Sequence, residues 1–229
     1  MQTPDLKPPQ DFSGARQFMV DCQVRPNKVT DPRLLDALRT LPRERFLPQS
    51  AAPLAYADED VPLGHGRVML APMVLARLVQ AVLSAADGGR ALVVGAGTGY
   101  GAAVLAACGF NVTASESDAA LLALARPALA AFAPSVSIVE TGPAEPPKGP
   151  FDAILIEGGF EVLPPAIPAE LAPRRGDARG RLYGIRRDGS GIGHAVAGEM
   201  TAAGLAVRPL FDAFTPCLPG LVAAPSFVF

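Results

Sequence analysis

The order of apolar segments predicts an α/β fold: a doubly wound, mostly parallel sheet, an antiparallel pair of strands at its C-terminal edge, and an N-terminal helical cap. Three observations carry that expectation. Short apolar runs alternate with helix-period stretches through the middle of the chain, and the first of these runs leads into a glycine-rich turn, Gly95-x-Gly97-x-Gly99. The third is Phe151-Asp-Ala-Ile-Leu-Ile-Glu157, a near-continuous apolar stretch of the kind found in strands covered on both faces.

Taken in order, Asp31-Pro32 supplies an N-cap and a proline at the first helical position, ahead of an apolar stripe through Leu34, Leu35, Ala37 and Leu38. A short amphipathic helix is expected there. Residues 42–62 are punctuated by prolines and read as extended linker. Helical spacing returns over 72–85 through Val74, Leu75, Leu78, Val79 and Val82, and Asp87-Gly-Gly89 ends it. A strand over 91–94, a helix over 100–108, a strand over 112–115, a helix over 118–132 and a strand over 136–139 then make two βα units and a third strand. The apolar run 151–157, bounded by Pro150 and Gly158-Gly159, is placed beside the first strand. Right-handed crossovers put a ligand at the carboxyl ends of these strands, near the reversal of strand order. Downstream, helices are expected over 166–171 and 195–203 and a strand over 182–185, with strands over 205–211 and 221–229 pairing antiparallel to close the sheet. The cationic stretch 173–180, which lacks interleaved aromatics, reads as a solvated loop.

Length and composition set the class. At 229 residues the chain fits one α/β domain, 71–229, with an appended N-terminal cap, 1–70. Its 49% apolar content is inflated by alanine, and no uncharged run is long enough to cross a bilayer. A net charge of −2 gives no global basic field for nucleic acid. Three widely spaced cysteines, Cys22, Cys108 and Cys217, form neither a disulfide framework nor a zinc pattern, and the polar, proline-bearing start lacks the core of a signal peptide. Cytoplasmic residence is the expectation, with no membrane or nucleic-acid partner and no metal.

The glycine turn carries the chemistry. Glycines permit a tight turn, positive φ and close approach of backbone amides to a ligand, and the positive end of the following helix faces the loop. The next strand ends in Glu116, placed to accept hydrogen bonds from a ribose diol. A nucleotide-like cofactor follows. Gly97-Thr-Gly99-Tyr-Gly-Ala102 also fits a dinucleotide loop, but a strand ending at Val94 makes Gly95 the first glycine and puts Tyr100 at the third small position. That spacing favours the loop of S-adenosylmethionine enzymes.

Several stretches in this order resemble the protein-L-isoaspartate O-methyltransferases: Leu41-Pro-Arg-Glu-Arg-Phe-Leu-Pro48, Ala55-Tyr-Ala-Asp58, Pro62-Leu-Gly-His-Gly66 leading to Pro72, Val94-Gly-Ala-Gly-Thr-Gly-Tyr-Gly-Ala102 and Gly149-Pro-Phe-Asp-Ala-Ile154. The resemblance implies a Rossmann-like methyltransferase sheet of about seven strands, S-adenosyl-L-methionine as cofactor, and methyl transfer to an isoaspartyl carboxylate of a protein or peptide substrate. It places the cofactor against Gly95, Ala96, Gly97, Thr98, Gly99, Tyr100, Glu116 and Gly142. The sequence departs from the family where it lines the acceptor: a threonine and a serine are replaced by Val68 and Leu70, leaving Arg67, His65, Leu70 and Glu157 as acceptor-site candidates. Val93 stands where an acidic residue is frequent, and the adenine-contacting Gly-Asp pair becomes Gly142-Pro143. An altered-substrate or non-catalytic relative is the alternative.

Overall fold

The computed structural model of the chain describes residues 11–173, 180–188 and 192–224. At the N-terminal side, α1 (Ser13–Phe18) runs into a π-helical turn, Met19–Val24, that the sequence did not single out. Helix α2 (Pro32–Thr40) forms as expected: the Asp31 carboxylate accepts from the Arg33 N–H, Pro32 opens the first turn, and Leu34, Ala37 and Leu38 are buried. The stretch 42–62 is more ordered than an extended linker. It contains 3-10 turns at Arg43–Phe46 and Ala52–Leu54, and Phe46 and Tyr56 are buried. The hairpin β1 (Val61–Gly64) and β2 (Arg67–Met69) follows, then α3 (Pro72–Leu83).

The sheet is built from β3 (Gly89–Val94), α4 (Tyr100–Ala107), β4 (Phe110–Glu116), α5 (Ala119–Phe132), β5 (Ser137–Glu140), β6 (Ala153–Phe160), α6 (Ala166–Ala169), β7 (Arg181–Arg187), β8 (Gly193–Thr201) and β9 (Gly204–Asp212). Seven strands pair in the order β5-β4-β3-β6-β7-β8-β9, parallel as far as β7 and antiparallel from β7 to β9. As expected, β6 lies beside β3, with Val94 opposite Ile156. Order therefore reverses at β3, where β4 leaves on one side and β6 on the other, and the glycine turn stands at that switch point. Along β3 and β6 the side chains alternate between the two faces. Ala91, Val93, Ala153 and Leu155 join the core shared with α3, α4 and the N-terminal elements, whereas Leu92, Val94, Ile154 and Ile156 pack on the opposite face. Burying each valine, leucine or isoleucine among them contributes about 1.5–3 kcal/mol, which is why this run is continuously apolar.

Two expectations at the C-terminal side are corrected. Residues 195–203 are not helical; Gly193–Thr201 is a strand hydrogen-bonded to β7 and β9 at once. Alanine favours helix locally, but Ala195, Val196 and Ala197 are buried between two neighbouring strands whose ladders pair the backbone on both sides, and tertiary pairing overrides propensity. The closing antiparallel pair is accordingly β8 with β9. Residues 221–224 form no strand, and 225–229 lie outside the described residues, as does 174–179 of the cationic stretch. Among the described residues no helix is long and apolar enough to cross a membrane, and no cluster of ligating side chains could hold a metal ion.

Candidate functional site

β3 ends at Val94 and α4 begins at Tyr100, so Gly95 is the first glycine of the turn. Gly95, Gly97 and Gly99 have φ of +68°, +57° and +90°, a region that side chains disfavour. The turn is fixed by the Ala96 N–H donating to the Ser115 carbonyl at 3.0 Å and the Gly99 N–H to the Ala96 carbonyl at 2.8 Å. Asp152 ties the opposite end of the sheet, accepting from the Arg90 N–H at 2.8 Å.

Glu116 closes β4 against this turn, and its side chain is wholly buried. Oε1 accepts from the Ser117 N–H at 2.8 Å, the Asp118 N–H at 2.9 Å and Arg67 Nη1 at 2.9 Å, while Oε2 accepts from the Gly97 N–H at 2.8 Å. Arg67 Nη2 donates to the Gly95 carbonyl at 2.8 Å. Arg67 comes from β2, and the hairpin carries its guanidinium into the angle between the glycine turn and the end of β4. Charge is balanced and both Glu116 oxygens accept hydrogen bonds, the condition under which a buried ion pair is tolerated.

Glu157 reaches the other side of the turn. Register between β6 and β7 slips between Leu155 and Gly159, and such a bulge re-aims the residue it contains. Its carboxyl group lies over the first turn of α4, where a Cβ on Gly101 would collide with it. Burial pushes the Glu157 carboxyl up to about 8, against the pull of Arg67, Arg43 and the Gly101 N–H. Glu157 Oε2, Thr98 Oγ1, Tyr100 Oη and Arg43 Nη1 are buried with no hydrogen-bond partner among the described residues. Tyr100 packs edge-on to Phe46 at 5.4 Å beneath the Arg43 guanidinium at 5.0 Å, and burial raises its phenol to about 12.

The remaining sequence candidates lie differently. His65 is in the β1–β2 turn at φ +54°, 61% exposed, paired through Nδ1 to the Asp118 carboxylate, and so stands at the surface rather than beside Glu157. Leu70 is fully buried in the core, and its carbonyl accepts from Arg43 Nη2 at 2.6 Å. Gly142 approaches Ser117 just beyond β5. Sequence reasoning missed Arg43, fully buried and donating also to the Ala55 carbonyl at 2.7 Å, although it stands inside the quoted Leu41–Pro48 stretch. It also missed Leu218, for which no local signal exists. This leucine sits on a strap, 215–221, that adds to the end of β6: the Leu218 N–H donates to the Gly159 carbonyl at 2.9 Å, and the Gly159 N–H to the Pro216 carbonyl at 2.9 Å.

A nucleoside cofactor needs an open cradle here, and these residues do not leave one. A Cβ on Gly95 would come within 2.5 Å of Leu218, and one on Gly97 within 3.2 Å of Leu63. The space that glycine opens is taken by the chain's own side chains. Two hollows flank the turn, one beside Thr98 and Glu157 and one beside Glu116 and Pro143, each about 10 Å³. That is room for about one water molecule, where a ligand site is typically ~300 Å³ or more. S-adenosyl-L-methionine does not fit between these side chains as they stand.

Comparison with known proteins places the chain among relatives. The family described as protein-L-isoaspartate(D-aspartate) O-methyltransferase matches residues 16–175. A protein-L-isoaspartate O-methyltransferase of Methylorubrum extorquens (strain PA1) is 42% identical over 170 residues, 73% of this chain and 74% of that protein. One from Rhodopseudomonas palustris (strain HaA2) is 40% identical over 164 residues, 70% of this chain and 66% of that protein. The fold is shared with a Plasmodium falciparum protein assigned as a protein-L-isoaspartate O-methyltransferase and crystallised with S-adenosyl-L-homocysteine, at TM-score 0.72 and 18% identity over 91% of this chain and 98% of the other. Sequence match, sheet order and the glycine turn at the switch point agree, and this chain belongs to the protein-L-isoaspartate(D-aspartate) O-methyltransferase family.

Proposed function

We propose that the chain is an S-adenosyl-L-methionine-dependent protein carboxyl methyltransferase of the isoaspartyl class, with a protein or peptide as methyl acceptor. The observation that carries this reading is the family match over residues 16–175, a span that holds the glycine turn, Glu116 and β6. The chemistry asks little acid–base help of the protein. A carboxylate whose reference pKa is near 4 is already a nucleophile at neutral pH, and the cofactor supplies an activated methyl group when bound. The protein's work in such a reaction is alignment and exclusion of water. Because the cofactor does not fit the present side-chain arrangement, no residue is assigned a step of the transfer. The three free cysteines support the expected cytoplasmic setting.

A second reading, a relative that keeps the fold without turnover, is favoured by one observation. The acceptor-side hydroxyls are replaced by Val68 and Leu70, and Leu70 is turned into the core. Transfer of labelled methyl from S-adenosyl-L-methionine to an isoaspartyl peptide, measured beside its aspartyl isomer, tests the first reading. Counts above background for the isoaspartyl peptide alone are expected from a chain whose glycine turn has been uncovered by Leu218→Ala, and equal background for both peptides from that variant, once it binds the cofactor, would overturn the reading.

A further inference from the structure

Three side chains from three separate segments converge on the glycine turn, and each offers the chemistry of one part of the expected ligand. A ribose diol would donate O–H groups to Glu116, but Arg67 N–H already donates there and to the Gly95 carbonyl, at 2.9 and 2.8 Å. The start of a helix that follows a glycine turn attracts an anionic ligand group. Over the first turn of α4 the place of that group is taken by the chain's own Glu157 carboxyl, which a Cβ on Gly101 would meet. The apolar body of a bound nucleoside would lie over the glycine backbone, and the Leu218 side chain lies there instead, within 2.5 Å of a Cβ on Gly95 and 2.6 Å of one on Gly158.

None of the three is a loose rotamer. Arg67 is held by its buried ion pair, and Glu157 is aimed by the bulge in β6. The strap bearing Leu218 is pinned at both ends: Thr215 Oγ1 donates to the Asp60 carboxylate at 2.7 Å, and the Glu161 N–H donates to the Leu221 carbonyl at 2.8 Å.

We propose that Arg67, Glu157 and Leu218 are built-in occupants of the cofactor cleft, standing where the nucleoside and its amino-acid end would lie, so that the chain excludes S-adenosyl-L-methionine and its thioether product until they are displaced. The inference rests on reading the glycine turn as this family's cofactor cleft. It explains in one stroke why an arginine follows Gly66, why β6 carries a glutamate at 157, and why the strap 215–221 presents a leucine.

The test is titration calorimetry of the full chain with S-adenosyl-L-homocysteine, with melting temperature as a second readout. The wild-type chain is expected to give no saturable heat and no thermal shift at about 1 mM ligand. Arg67→Gln combined with Leu218→Ala is expected to gain saturable binding at least about tenfold tighter than any wild-type signal. Leu218→Ala alone, which keeps the Arg67–Glu116 pair and so guards against misfolding of the double variant, is expected to gain part of it. Micromolar binding by the wild type, or folded variants that melt cooperatively and gain nothing, would overturn the proposal. Methyl transfer to an isoaspartyl peptide separates the two readings. A variant that binds the thioether but moves no methyl leaves the occupied cleft standing and removes the proposed activity; a wild type that binds and methylates does the reverse.

Discussion

Arg67 and Glu116, 49 residues apart in the chain, form a buried ion pair 2.9 Å long at the point where β3 and β4 end. The carboxylate that would receive a ribose is thereby neutralised by the chain itself, and the hairpin bearing the arginine is stitched to the sheet. Removing one partner of such a pair strands the other. Arg67→Ala should cost about 3 kcal/mol, the low end for a buried pair because three backbone N–H groups still serve Glu116. Urea unfolding measures it, and a loss under about 1 kcal/mol would mean the pair is solvated in solution.

Glu157 makes stability depend on pH in a definite direction. Its folded-state value near 8 lies above the ordinary 4.5, so from about pH 4.5 to 8 the unfolded chain releases a proton that the folded chain keeps. Stability is therefore greatest below that window, falls through it with a limiting slope of about 1.4 kcal/mol per pH unit, and levels off above it. Glu157→Gln should remove this fall. Melting temperatures recorded from pH 5 to 8 check it, and parallel curves for variant and wild type would contradict it.

Gly101 and Glu157 should be coupled with a change of sign. In the wild type, Gly101→Ala forces a Cβ into the carboxyl group and should destabilise by about 1–3 kcal/mol. In a Glu157→Gly background the obstruction is gone, and the same change should stabilise by up to about 1 kcal/mol, because alanine is the better helix former. A double-mutant cycle reads the difference directly; additive effects would show that the two do not touch.

Returning hydroxyls to the acceptor side is not expected to suffice. Leu70 is fully buried, so Leu70→Ser with Val68→Thr should cost about 2–5 kcal/mol of stability. It should leave methyl transfer to an isoaspartyl peptide unchanged unless Arg67 and Leu218 are also replaced. A rise in rate from the two acceptor-side changes alone would show that the cleft opens unaided.

The βα order and the glycine turn were determined by the sequence alone, because they rest on local signals, apolar runs, helical spacing and glycines after a strand, and the placement of β6 beside β3 followed from that order through the handedness of crossovers. Asp31 as an N-cap is a local signal of the same kind. What the tertiary structure decided is whatever depends on a distant partner. Gly193–Thr201 is a strand only because β7 and β9 flank it, against the helical leaning of its alanines. Arg67 becomes a buried cation only because a hairpin delivers it to Glu116, and Leu218 reaches Gly95 only because its strap adds to β6. Glycine in a turn announces that space is needed beside the backbone, but it cannot say what fills that space; here packing between segments far apart in sequence gives it to the protein's own side chains.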